Sequence, residues 1–211
     1  MHTSDTVIPI NRNCLRQPIP EIFLAATYLT AAQTAFRLGR ENDSCQLLDM
    51  ANMIEIRAWT ESLWGKGSVY KCRNTAQPIQ ASPKQNHFLP RMPTASDKAT
   101  LIARDGYHCR FCNIPVVRAE VRRRLQKHFP KALPWGSKNS SQHAAFQAMW
   151  LQFDHILPRA LGGDNSLENM VITCAPCNFA RMDATLEQVN LEDPFKRKPF
   201  RSDWDGLEGF H

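Results

Sequence analysis

Two cysteine pairs constrain this chain more than any other feature: Cys109-x-x-Cys112 and Cys174-x-x-Cys177, with 61 residues between them. The remaining three of the seven cysteines, Cys14, Cys45 and Cys72, stand alone. The opening residues MHTSDTVIPINRN lack a basic stretch followed by an apolar run, so no secretory leader is expected and a cytoplasmic location is the default. In a reducing compartment disulfides are disfavoured, and paired CxxC motifs favour zinc. A thioredoxin-like redox role would need a βαβ setting, which neither pair has. Four thiolates fill a tetrahedral site and leave no open position, which makes the expected zinc structural rather than catalytic. It would join two distant segments, so metal affinity would become folding free energy. The isolated cysteines are read as small buried hydrophobes.

The residues just before and within the second pair have a clear order. QFDHILP, around residues 152–158, alternates as a short strand, and Gly162-Gly163-Asp164-Asn165 supplies turn chemistry. Asn169 to Thr173 is a second strand, rich in β-branched residues. A helix is expected after Cys177, running toward Val189. Strand, loop, strand, knuckle and helix make a compact ββα unit.

Upstream, Ile22, Ala25, Ala26, Leu29, Ala32 and Phe36 recur at helical spacing, and Gly39 is a plausible stop. A second pattern from Leu47 through Ala51 and Ile54 to Trp59 predicts a partner helix, so residues 20–64 read as a helical hairpin and a candidate surface for a protein partner. The apolar segment from Ile22 to Phe36 is too short and too polar to span a bilayer. The polar, proline-bearing stretch 65–93 reads as a linker. The division that follows is a helical region and linker over 1–90, a second unit over 91–190 with a basic insertion at 113–150, and a C-terminal tail over 191–211.

The net charge is +6 and is unevenly placed. Residues 100–150 carry nine Lys/Arg against two Asp/Glu, whereas residues 151–211 carry six against ten. A helix over 115–129 would put Val117, Val121, Leu125 and Phe129 on one stripe, with Arg118, Arg122, Arg123, Arg124 and Lys127 around the rest. Such a face suits a polyanion, but a charge run alone is as often a solvated surface.

In combination, the first CxxC, Asp154-His155-Ile156 with Pro158, Gly162-Gly163, Asn169 and the CxxCN ending at Cys174–Asn178 resemble the HNH endonucleases, whose fold is the ββα-metal motif. The resemblance covers roughly Ala99 to Asp183. It implies an α+β chain: an N-terminal helical hairpin followed by a zinc-stabilised ββα-metal nuclease domain. It also implies a metal-dependent endonuclease that hydrolyses DNA phosphodiester bonds. His155 would be the general base, because an imidazole titrates near neutrality. Asp154 and Asn178 would hold a divalent cation, Mg²⁺ or Mn²⁺, through hard oxygen ligands. Asn169 would hold the loop and help aim the histidine, while Arg159 and Arg181 would add phosphate contacts. A double-strand break is simplest to make with a homodimer.

The chain departs from the family pattern in a long basic insertion after the first CxxC, in Arg181 where many relatives with this ending carry lysine, and in Asn178, a common variant where the family name has histidine. A different class remains open beside this one: a catalytically inactive zinc module that binds nucleic acid or acts as an adaptor. One steric tension also stands. Neighbouring residues on a strand point to opposite faces, yet Asp154 and His155 are both assigned to one site.

Overall fold

The computed structural model describes residues 12–70 and 92–210. Helix α1 (Pro20–Arg37) forms where the apolar spacing predicts it. Pro20 opens it with a backbone already set for the first turn. Glu21 lies in the first turn and Arg37 in the last, each opposing the helix dipole. Gly39, at φ +71°, takes the left-handed conformation that turns the chain back into α2 (Glu41–Met50), which packs along α1.

The second apolar pattern, expected as one helix, is two. After α2 ends, Met53 is extended and α3 (Ile54–Trp64) begins. Asn52 sits at this break, and its Oδ1 accepts the backbone N–H of Ala144 at 2.7 Å. It thereby satisfies one of the orphan donors at the start of the short helix α6 (Ala144–Ala148). Two further ties run the same way: His143 Nε2 lies 2.8 Å from the Leu48 carbonyl, and Arg57 donates to the carbonyls of Asn139 and Gln142 at 2.7 Å each. With α3 packed against α6, the N-terminal helices are built into the same body as the segment that precedes the first strand. The expected linker lies mostly outside the described residues, as does Cys72.

Helix α4 (Ala95–Asp105) was not anticipated, although its start carries a capping box: Thr94 Oγ1 accepts from Asp97 N, and Asp97 Oδ2 accepts from Thr94 N, both at 3.1 Å. At its far end Asp105 is buried, accepts the Ile172 N–H at 3.0 Å and pairs with Arg104 at 2.8 Å and Arg110 at 3.7 Å. This carboxylate fastens the first cysteine turn to the sheet. The basic helix is α5 (Ala119–His128); Val121 and Leu125 enter the core between Val117 and Phe129, as the stripe predicts.

Strands β1 (Leu151–His155) and β2 (Met170–Cys174) pair antiparallel, from Leu151 opposite Cys174 to His155 opposite Met170. Helix α7 (Ala175–Arg181) follows at once and stops well short of Val189, because Met182 adopts φ +53°. The chain is therefore α+β, with seven α-helices and one two-stranded sheet among the described residues. The segment expected as a tail is packed: Leu191, Leu207 and Phe210 are buried, Asp205 accepts from Gln33 at 3.3 Å, and the Gly209 carbonyl accepts from Arg37 at 3.2 Å.

Candidate active site and metal centre

The two cysteine pairs meet. Cys109 and Cys112 lie in a tight turn after α4, closed by Asn113 at φ +62°, whose N–H reaches the Cys109 carbonyl at 2.9 Å. Cys174 ends β2 and caps α7, and Cys177 lies in the first turn of that helix. All four are buried, and their sulfurs lie within 4.8 Å of one another. The Cys112 and Cys174 sulfurs are 3.6 Å apart. A tetrahedral zinc with Zn–S bonds of about 2.3 Å would set sulfurs roughly 3.8 Å apart, so the cluster is compatible with structural zinc. Burial pushes the Cys174 thiol up, and a bound dication is what allows several thiolates to share a dry site. Cys14 and Cys45 lie outside the cluster; burial pushes Cys14 up to about 12, leaving it an inert core thiol.

Beside this centre, Asp154, His155 and Asn178 line a single cleft of about 350 Å³. Four consecutive residues, Gln152 through His155, border it. Among the described residues β2 is the one strand paired along β1, which leaves β1 at the margin of the sheet, where residues of both faces border the cleft. That resolves the tension between Asp154 and His155. Asn178 comes from the middle of α7 rather than from its start, because the helix begins at Ala175.

The loop between the strands is held by Asn169. Its Oδ1 accepts the Leu157 N–H at 2.8 Å, and its Nδ2 donates to the carbonyls of Leu157 and Asp164 at 3.2 and 2.9 Å. The glycine pair meets two different demands. Gly162 takes φ +95°, and at Gly163 any side chain would run into the Leu157 carbonyl and the Asn169 amide. This fold of the loop brings Asn165, read from sequence only as a turn residue, to His155: Asn165 Oδ1 lies 2.8 Å from His155 Nε2. With an oxygen accepting there, Nε2 carries the proton and Nδ1 is left as the basic nitrogen.

Asp154 is 5% exposed and its two oxygens differ. Oδ1 accepts from the Arg181 guanidinium at 2.6 Å, whereas Oδ2 is buried with no hydrogen-bond partner. Burial pushes the carboxyl up, and the Arg181 charge opposes that shift. Arg181 itself is 1% exposed and also donates to the carbonyls of His155, Ile156 and Ala184. It borders the cleft but its guanidinium is already engaged by these acceptors, so it braces the site from inside.

The other basic residues divide similarly. Arg159 borders the cleft. Arg118 is bound by both Glu208 oxygens at 2.5 and 2.8 Å, and Arg124 lies 3.7 Å from the same carboxylate. Arg122 is buried, its guanidinium 3.6 Å above the Trp135 ring, so it too is a core residue rather than a free cation. Arg123 and Lys127 are exposed, and none of the α5 side chains borders the cleft.

Residues 143–189 match the HNH endonuclease family. The matched segment runs from α6 through β1, the glycine loop, β2 and the second CxxC to beyond α7. It holds every residue named around the cleft, while Cys109 and Cys112 complete the metal cluster from outside it. No curated protein and no solved structure matches the chain. Among the described residues no helix is long and apolar enough to cross a membrane.

Proposed function

We propose that the chain is a metal-dependent endonuclease that hydrolyses DNA phosphodiester bonds at the cleft beside β1. The observation that carries this reading is the convergence of Asp154, His155 and Asn178 on one cleft, with Asp154 Oδ2 buried and unpartnered there. An unpaired carboxylate oxygen beside a carboxamide is the donor set a hard divalent cation such as Mg²⁺ or Mn²⁺ takes. Asp154 and Asn178 would hold that ion, which when bound neutralises charge developing on the phosphate and the leaving oxygen.

The chain's own residues do the rest. His155, with Nε2 fixed by Asn165, takes the proton of the attacking water at Nδ1. Asn169 holds the loop that carries Asn165, and is a positioning residue one step removed from the chemistry. Arg181 binds one oxygen of Asp154 and leaves the other unpaired. Arg159, on the cleft rim, is placed for the phosphate backbone. The zinc cluster positions Asn178, which follows Cys177 directly in α7.

The buried Asp154–Arg181 pair favours a second reading, in which the carboxylate is structural and the module binds nucleic acid without cutting it. Plasmid cleavage with added Mg²⁺ or Mn²⁺ separates the two. Wild type converts supercoiled DNA, and His155→Ala keeps its zinc and fold while losing cleavage by about 100-fold or more. Cleavage by His155→Ala at the wild-type rate removes the assigned base.

A further inference from the structure

A second and larger cavity, about 600 Å³, adjoins the cleft and shares Asn178, Phe179, Met182 and Asp183 with it. Its size lies within the range of small-molecule sites, about 300–1,000 Å³. Its chemistry is unlike that of a backbone groove. No Lys or Arg lines it, so it offers nothing to a phosphate. Instead it combines aromatic rings with carboxamides.

The rings belong to three different elements. Trp64 ends α3, Trp150 precedes β1 and Phe179 lies on α7. Phe179 is in contact with both, at centroid distances of 5.3 Å to Trp64 and 6.1 Å to Trp150, and it is 39% exposed. The amides are Asn139, Gln142, Gln147 and Asn178, and Asp183 adds one carboxylate. Gln147 is 1% exposed; its Nε2 donates to Gln142 Oε1 at 3.3 Å, while its Oε1 has no partner. The indole Nε1 of Trp64 is likewise buried without a partner. Both atoms lie behind the cavity wall, so a ligand meets the ring faces and the amide groups that line it.

We propose that this cavity takes one unstacked nucleobase of the strand whose phosphate lies in the adjoining cleft. The assignment rests on the nuclease reading for its substrate but on separate residues for its chemistry. A heterocycle has a π-face for the aromatic rings and an edge of mixed donors and acceptors for the amides. Because Asn178 and Phe179 are successive residues of α7 facing both spaces, a base in the cavity and a phosphate in the cleft can belong to neighbouring nucleotides. A base leaves the stack most readily where it is already unpaired. The cavity thus makes single-stranded or frayed DNA the preferred substrate over perfect duplex.

The test uses zinc-loaded full chain without added Mg²⁺ or Mn²⁺, and two labelled 12-mer probes of equal charge: oligo(dA) and an oligomer of abasic sites. Stacking on an aromatic side chain is worth roughly 5- to 150-fold in affinity per base. Wild type is expected to bind oligo(dA) at least about fivefold more tightly than the abasic strand. Trp64→Ala brings the two within about twofold, and Trp64→Phe, which keeps a ring, restores the preference. Phe179→Leu provides an independent loss of stacking if Trp64→Ala does not fold. Equal binding of the two probes by wild type, or full preference in folded Trp64→Ala, overturns the proposal. Base preference without plasmid cleavage in Mg²⁺ removes the nuclease reading and leaves the base site; cleavage without base preference does the reverse.

Discussion

Replacing Arg181 by Met tests whether the site is braced from within. The guanidinium is 1% exposed and serves four acceptors: Asp154 Oδ1 at 2.6 Å and the carbonyls of His155, Ile156 and Ala184. Methionine matches much of the apolar stem but supplies no donor. It leaves a buried carboxylate without its counter-charge, and removing one partner of a buried pair costs about 3–5 kcal/mol. For a chain of this size each kcal/mol lowers Tm by roughly 2–4 °C, so the expected drop is about 6–20 °C. Urea unfolding at pH 7 measures the free energy directly. The double variant Arg181→Met/Asp154→Asn removes the orphaned charge and should recover about half of the loss, since an uncharged amide is much cheaper to bury. Arg181→Lys keeps the charge but not the planar fork, and falls between wild type and Met. A cost below about 1 kcal/mol for Arg181→Met, the scale of an exposed pair, would refute the buried brace, as would strict additivity in the double variant.

Three further outcomes are expected. Cys109→Ser and Cys177→Ser each lose bound zinc and thermal stability together, read by metal content and melting; parental melting temperatures would refute a structural zinc. Asn165→Ala frees His155 Nε2 and slows plasmid cleavage by roughly tenfold, the value of one hydrogen bond, with KM unchanged and with more activity kept by Asn165→Asp; an unchanged rate removes Asn165 from the site. Burial lowers the His143 pKa to about 4, opposed by the hydrogen bond to the Leu48 carbonyl, while the Asp49 and Arg57 charges act in opposite directions. The native state therefore binds fewer protons than the unfolded chain, and the stabilisation is full above about pH 6.5 and falls as pH drops toward 4. Between pH 7 and pH 5 this amounts to about 2 kcal/mol, measured as the difference in urea stability between wild type and His143→Gln; equal pH slopes for the two would refute it.

The cysteine scaffold and the residues that border the cleft were legible because their signals are local. CxxC spacing, the Asp154-His155 doublet, the glycine pair and a β-branched run each declare themselves within a few positions. What the sequence hid depends on contacts between distant segments. Arg181 reads as a free cation until α7 folds back on β1 and sets it against Asp154. Arg122 flanks the Val121–Leu125 stripe, so a small rotation of α5 decides whether it meets solvent or Trp135. Glu208 binds Arg118 across 90 residues of chain, and no periodicity reports such a bond. Asn165 is the instructive case: its turn-forming role was visible, but only the Asn169 and Gly163 contacts show that the turn delivers its oxygen to His155. The capping box at Thr94 and Asp97 was readable in advance, and it marks α4 plainly.

Successive placement of Cys177 and Asn178 on α7 has a practical consequence for metal-depletion experiments. On the proposed nuclease reading, a strong chelator would withdraw the cation held by Asp154 and Asn178 and would also strip zinc from the four cysteines, and the second event would displace Asn178 as well. Inactivation by EDTA therefore does not identify which ion was lost. The order of recovery does. A sample that regains cutting on Mg²⁺ alone had kept its thiolate-bound zinc, whereas one that needs zinc first had lost the platform on which the other ligand stands.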